Sequence, residues 1–337
     1  MRAWPEAPVY TALYDERVTG DFVPRARVRT SYLARIPGAN RYFRYLAPFY
    51  PRAFESFDLS AYDTIVSSTS AWAKGVRLAP GAVHISYTST VSRFAFAYDR
   101  YLGGFGLRAL ARPVVNRLIA WDRAAANLPT HYVANSATVA QRIRTFYGRD
   151  AEVLHPPVDV DRFTVGSGGG GYFLVASRLL PYKRVDLAIR AAHVAKVPLL
   201  VAGDGPAYHA LRNLARGTTT TMLGFVDDAR VADLLRDAVA AIVPGEEDFG
   251  LVPVEAAAAG RPTIAFRAGG ALETVVEGET GTFFDDATPE SLAAVLRAFD
   301  VTRYDAGRLR AHAETFAPAR FVAGLKAIVE RVRAGHV

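Results

Sequence analysis

Two pairs of charged residues in the second half of the chain have types and spacings that suit phosphate and sugar chemistry. Arg178 and Lys183 follow a short apolar run in Ser177-Arg178-Leu179-Leu180-Pro181-Tyr182-Lys183 and open a helical pattern. A guanidinium fork and an ammonium point charge so placed reach a diphosphate in two different ways; the plainer reading is two solvated cations at a helix start. Glu247 and Glu255 lie in Glu246-Glu247-Asp248-Phe249-Gly250-Leu251-Val252-Pro253-Val254-Glu255. With a helix beginning near Gly250, the free N–H groups of Phe249, Gly250 and Leu251 and the helix dipole suit a phosphate. Glu247 then stands in the loop before the helix, placed to accept hydrogen bonds from sugar hydroxyls, and Glu255 one to two turns inside it. Acids at a helix N-terminus are also favoured by the dipole alone. That covers Glu246, Glu247 and Asp248 but not Glu255, which precedes a run of four alanines. Between the two pairs, Gly203-Asp204-Gly205 sits in a tight loop where glycines allow positive φ and close ligand approach, or form a simple turn.

The elements that must carry these residues read as alternating β and α. Short apolar runs at 172–176, 197–201, 219–223, 239–243 and 262–266 alternate with helical patterns at 185–194, 206–215, 229–237 and 251–259. Continuous apolar strands between helices predict a parallel sheet covered on both faces, and ligands collect at the carboxyl ends of such strands. The first half repeats the pattern less regularly, with strands expected at 9–13, 26–30, 64–67, 83–87 and 131–134 and a helix at about 107–126. A chain of 337 residues suggests two domains. The run Gly168-Gly169-Gly170-Gly171 reads as a flexible linker and His155-Pro156-Pro157-Val158-Asp159 as a rigid extended piece, so the junction is expected between them. A terminal helix is expected over 318–333.

Composition narrows the function. There is no cysteine, and the histidines show no zinc-binding spacing, so no metal site is expected. No stretch is long and apolar enough for a membrane span, and the start lacks a signal-peptide core, which reads as cytoplasmic. The charge of +7 is uneven: residues 1–164 hold 21 Lys+Arg against 13 Asp+Glu. From Phe22 to Phe54 there are seven arginines (Arg25, Arg27, Arg29, Arg35, Arg41, Arg44, Arg52) and no carboxylate, interleaved with Tyr32, Tyr42, Phe43, Tyr45, Phe49 and Tyr50. Such a mix over residues 22–54 suits an anionic membrane surface, which would make the protein peripheral at the inner face of the membrane. A solvated basic face over ordinary core aromatics and a nucleic-acid surface are the competing readings. Nucleic acid rests on charge alone. A nicotinamide enzyme would need Gly-x-Gly-x-x-Gly after a strand, whereas the glycine run precedes one.

Together the motifs resemble glycosyltransferase family 4, retaining enzymes of the GT-B type, and within it the mannosyltransferase-like branch. The family pattern of Arg-x4-Lys, then Gly-Asp-Gly-Pro, then Glu-x7-Glu stands here as Arg178…Lys183, Gly203 to Pro206 and Glu247…Glu255. Ala73-Lys74-Gly75-Val76, Trp121-Asp122-Arg123-Ala124-Ala125, Val133-Ala134-Asn135-Ser136 and Pro156-Pro157-Val158-Asp159 extend the resemblance over nearly the whole chain. It implies an α/β fold of two Rossmann-like domains facing across a cleft: an acceptor-side domain at 1–160, a donor-binding domain at 161–317, and residues 318–337 returning to the first. It implies transfer of a hexose from a nucleoside diphosphate sugar to a glycan or lipid-linked acceptor, with no metal or other cofactor. Arg178 and Lys183 would hold the diphosphate, Glu247 the sugar hydroxyls and Glu255 the ribose, with Gly203, Asp204, Gly205 and the 249–251 amides lining the donor. Lys74, Ser89 and Arg93 are placed on the acceptor side. Two departures stand out. The first β-α unit of the family is expected to be lacking here, and Ser89-Thr90-Val91 stands where the branch has His-Thr-Pro. A serine cannot supply an imidazole's charge or reach, so a nucleotide-sugar binder with impaired transfer is the alternative.

Overall fold

The structure, a computed structural model, describes residues 3–92 and 105–335, with the backbone alone for 105–111. The chain divides into two compact units, Met1–Leu154 with Val322–Val337, and His155–Phe321.

The second unit is built on strands β7 (Phe173–Ala176), β8 (Leu199–Ala202), β9 (Thr220–Gly224), β10 (Ala240–Val243), β11 (Thr263–Phe266) and β12 (Gly281–Phe284), all parallel, in the order β12-β11-β10-β7-β8-β9. Alternate side chains leave the sheet on opposite faces. Phe173, Val175, Leu199, Val201, Ala240, Ile242 and Ile264 meet Leu187 and Ile189 of the helix Val185–Ala195 and Leu292 and Leu296 of the helix Pro289–Ala298. Leu174, Ala202 and Ala241 meet Leu234 and Leu235 of the helix Asp228–Asp237, Val254 and Ala257 of the helix Leu251–Ala258, and Leu309 of the helix Ala306–Glu314. Because both faces are covered, the strands read as unbroken apolar runs rather than as an alternation.

The first unit contains β3 (Thr64–Thr69), β4 (Val83–Thr88), β5 (His131–Ala134) and β6 (Ala151–Val153) as a parallel sheet in that order, and β1 (Val9–Thr11) paired in parallel with β2 (Val28–Thr30). Strand β4 is buried along its whole length although it carries His84, Ser86 and Thr88. His84 Nε2 and Ser67 Oγ satisfy one another across the strand pair at 2.8 Å, and burial lowers the imidazole pKa to about 4.

The glycine-rich stretch corrects the linker expectation. Gly166 N–H donates to Ala259 O at 3.2 Å and Gly170 N–H to Asp237 O at 2.9 Å, while Arg261 donates to Gly166 O at 2.7 Å. A Cβ on Gly166 would stand 2.2 Å from Arg236 O. The stretch is therefore a packed loop of the second unit, and its glycines permit close backbone approach rather than freedom. The division falls earlier, at Leu154/His155. Residues 155–163 are bound to the second unit by Val158 N–H to Phe316 O at 2.9 Å and by burial of Val158, Val160 and Phe163 in its core.

Candidate active site

The order of the second sheet has a switch point. From β7 the chain proceeds through β8 to β9 on one side, then returns to β10 and proceeds through β11 to β12 on the other. Loops leaving the carboxyl ends of β7 and β10 diverge there, and an open parallel sheet forms its ligand crevice at such a point. Arg178 and Lys183 follow β7 and Glu247 follows β10. The structure brings two of them together: Lys183 Nζ donates to both Oε1 and Oε2 of Glu247. The side chains are only 18% and 17% exposed, so the attraction is screened less than that of a surface pair.

Neighbouring loops hold this pair in place. Leu179 N–H donates to Asp204 O at 3.0 Å and Ala207 N–H to Leu179 O at 3.1 Å, joining the loop after β7 to the loop after β8. Gly203, at φ 143°, would place a Cβ 1.8 Å from Ser177 O, so only glycine fits that interlock. A Cβ on Gly205, at φ 157°, would stand 2.6 Å from Leu179 O, and its N–H donates to Asp204 Oδ1 at 2.8 Å. The loop after β11, which sequence reasoning did not single out, supports Glu247 from the other side. Gly270 N–H donates to Glu247 O at 2.9 Å, and a Cβ on Gly270 would meet the backbone of Phe249 at 2.3 Å. Its sequence signal is the pair Gly269-Gly270 shortly after an apolar strand, with Arg267 and Ala268 between.

Phe249 is 3% exposed and anchors the loop. Its ring lies against His155 at 5.3 Å and Phe316 at 5.8 Å between centroids, and His155 Nε2 is bonded to Glu273 Oε2 at 3.1 Å. Gly250 occupies the N-cap of the helix Leu251–Ala258 at φ 85° and caps it with no side chain, leaving the first N–H groups, beginning at the half-exposed Leu251, without that partner. The helices that follow β7 and β8 likewise lack a side-chain cap. Those following β9 and β12 are capped by Asp227 and Thr288. Uncapped helix starts thus gather around the switch point and capped ones lie at the sheet edges.

Glu255 lies in the same helix, half-buried. Burial raises its carboxyl above the ordinary carboxylate range, with Arg162 opposing the shift and Asp228 adding to it. Among the described residues its carboxylate forms no hydrogen bond or ion pair, and neither does the exposed Arg178 guanidinium. No described contact joins either residue to the Lys183–Glu247 pair.

The three acceptor-side candidates belong to the first unit. Ser89 follows β4, half-buried, with its Oγ 3.4 Å from Thr69 O. Arg93 lies outside the described residues. Lys74 is a correction. It is 2% exposed and paired with the fully buried Asp122, and it donates to Ala71 O at 2.6 Å. Its ammonium also lies 5.6 Å from the Trp121 ring centroid and 5.2 Å from that of Tyr147. Burial lowers its pKa and Asp122 opposes that shift. Lys74 is a core cation that fixes the loop after β3 to the helix Phe105–Ala125. No group of three or more metal-ligating side chains converges among the described residues, and none of their helices is long and apolar enough to cross a membrane.

Residues 159–300 match the family described as "Glycosyl transferases group 1". A D-inositol 3-phosphate glycosyltransferase of Geodermatophilus obscurus is 32% identical over 232 residues, 58% of this chain and 51% of that protein. D-inositol 3-phosphate glycosyltransferase 2 of Catenulispora acidiphila is 31% identical over 197 residues, 49% of this chain and 46% of that protein. The chain therefore spans about half the length of the curated relatives it matches. Among solved structures, a sucrose-phosphate synthase from Thermosynechococcus elongatus superposes with a TM-score of 0.68 at 17% identity, covering 92% of this chain and 84% of that one. Anabaena HepE in complex with UDP and glucose gives 0.62 at 19%, covering 90% and 86%. The chain has the α/β fold of GT-B glycosyltransferase structures, and residues 159–300 of its second unit are similar to the glycosyl transferases group 1.

Proposed function

We propose that this protein is a retaining glycosyltransferase that moves a hexose, mannose among the candidates, from a nucleoside diphosphate sugar to a glycan or lipid-linked acceptor in cell-envelope polysaccharide or glycolipid synthesis. The observation that carries this reading is the Lys183–Glu247 pair at the carboxyl ends of β7 and β10, ringed by uncapped helix starts. Two cations and oriented N–H groups suit a diphosphate, and a carboxylate beside them suits sugar hydroxyls. Glu255 fits the ribose, because a half-buried carboxylate without a partner gains most from two hydroxyl donors.

In the reaction the bond from the anomeric carbon to the diphosphate oxygen breaks. A bond from that carbon to the acceptor oxygen forms on the same face. The acceptor proton passes to the departing phosphate, and Arg178 and Lys183 hold the charge that develops there. No metal or cofactor is required by this scheme. We place the protein in the cytoplasm at the inner face of the membrane.

The printed names of the relatives add D-inositol 3-phosphate as an acceptor to try, and the UDP and glucose beside HepE make UDP-glucose the first donor. The test is a matrix of UDP- and GDP-hexoses against glycan, lipid-linked and inositol phosphate acceptors, read by anomeric proton NMR. Transfer with retention, lost in Glu247→Gln, is the expected result. Donor binding by calorimetry without transfer to any acceptor would favour the second reading, a nucleotide-sugar binder, for which Ser89 in place of a histidine is the motivating residue. Absence of both binding and transfer would sink the proposal.

A further inference from the structure

The first unit exposes a surface that the transfer chemistry leaves unexplained. Of the eight phenylalanine and tyrosine rings recorded as exposed among the described residues, six lie between residues 22 and 49: Phe22, Tyr32, Tyr42, Phe43, Tyr45 and Phe49. Tyr45 and Phe22 reach 81% and 79% exposure. Burying such rings in a core would have been worth far more than leaving them in water, so the fold presents them at a cost.

The segment is fixed. Leu33, Tyr50 and Ala53 pack with Ala12 into a small core against which Leu46, Ala47 and Phe54 also lie, while the six rings stay exposed. Tyr50 Oη donates to Phe43 O at 2.9 Å and Tyr32 Oη to Phe49 O at 3.4 Å. These bonds tie the turn Tyr32–Arg35 and the helix Tyr50–Glu55 to the turn Phe43–Phe49. The segments that carry Tyr32, Phe43 and Phe49 are thus held together, and the Tyr42 and Tyr45 rings lie 6.4 Å apart.

The arginines of this segment face no counter-charge. Arg25, Arg27 and Arg29 bond only to backbone carbonyls. Among the described residues, none of the seven arginines from Arg25 to Arg52 forms an ion pair. Arg41 and Arg44 instead lie over Tyr42 and Phe43, at 5.6 and 5.4 Å. Each guanidinium thus rides on a ring that is itself exposed.

We infer that this surface docks on an anionic lipid bilayer, the rings entering the headgroup layer and the guanidinium groups meeting lipid phosphates. A bilayer fits both halves of the surface. Aromatic rings are favoured at the membrane–water boundary, and unpaired basic residues are drawn to a negative leaflet. A nucleic acid would satisfy the arginines but leaves Ile36 and Phe22, both exposed, with nothing apolar to enter. The inference does not depend on the donor site in the second unit, and its test reads binding rather than turnover.

The test is co-sedimentation of the full chain with vesicles of phosphatidylcholine alone and with about 30 mol% phosphatidylglycerol. Binding is expected only to the anionic vesicles, and it weakens as salt rises. Arg41→Glu with Arg44→Glu, both exposed and without an ion pair among the described residues, lowers the partition coefficient at least about tenfold, from the attraction of each basic residue to such a surface. Tyr45→Ser with Phe49→Ser lowers it at fixed charge. Circular dichroism and thermal melting of both variants verify that the fold is intact. Equal binding to neutral and anionic vesicles, unchanged binding by both double variants, or binding to a DNA or RNA duplex with none to vesicles would overturn the inference.

Discussion

Lys183 offers its ammonium to both carboxylate oxygens of Glu247, across a gap of 64 positions in the sequence. Each residue neutralises the other, so an arriving diphosphate competes with Glu247 for Lys183. Lys183→Ala is expected to lower turnover by about 10²–10³, the usual cost of removing one charge-stabilising donor. Glu247→Gln frees the ammonium. It is expected to bind the nucleoside diphosphate without sugar as tightly as wild type or more tightly, while losing transfer. Calorimetry with the diphosphate and with the intact donor separates the two effects.

Gly270→Ala tests the support behind the site. The new methyl would press on the Phe249 backbone at 2.3 Å, at φ −65° where alanine has no backbone strain of its own. About 1–3 kcal/mol of overpacking strain is expected, relieved by moving the loop that carries Glu247. Donor affinity should fall even though no ligand-contacting side chain has changed. Unchanged affinity would show that this loop is not held by the glycine.

Glu255→Gln should separate stability from binding. Burial raises the folded-state pKa of Glu255, so between the ordinary and the raised value the folded chain binds more protons than the unfolded one. Stability then falls as pH rises through that window. The glutamine variant is expected to melt higher than wild type at neutral pH, with the difference vanishing below pH 4 or so, and to bind nucleotide more weakly. Each kcal/mol gained appears as about 2–4 °C for a unit of this size.

His84 predicts the opposite slope in the first unit. Its folded-state pKa is lowered by burial to about 4. Between roughly pH 6.5 and 4 the unfolded chain takes up a proton that the folded chain refuses, and stability is lost as pH falls at about 1.4 kcal/mol per pH unit. Urea unfolding of wild type and His84→Gln across this range should give a shallower dependence in the variant. Parallel curves would remove His84 as the cause.

The sequence made the second unit legible because both faces of its sheet are covered. Runs such as Phe173-Leu174-Val175-Ala176 stay apolar throughout, and the helices between them keep their period. It was a poorer guide where one residue type serves two physical ends. Gly168 to Gly171 has the composition of a linker, yet the structure packs Gly168 against Ala238 and Arg261 and Gly170 against Asp237. Only the tertiary partners distinguish the two. Lys74 has the composition of a surface charge, and Asp122, which makes its burial tolerable, lies 48 positions away. In the site, Gly269-Gly270 carries no charge or nucleophile and was passed over, although its closeness to Phe249 is what positions Glu247. Strand β12 lies at the sheet edge and opens on Gly281, which weakens a strand pattern although Thr282, Phe283 and Phe284 favour one.

The last helix has a consequence for how the chain acquires its shape. Residues Val322–Val337 belong with Met1–Leu154. Gly324 sits against Leu154, Arg331 pairs with Glu152, and Arg333 reaches Asp63 at 3.0 Å. During synthesis, therefore, the portion made first cannot be completed until the portion made last has left the ribosome, whereas the intervening stretch holds everything it needs and is free to finish ahead of it. A released chain that ends at residue 321 is expected to protect its middle from protease while its beginning stays susceptible.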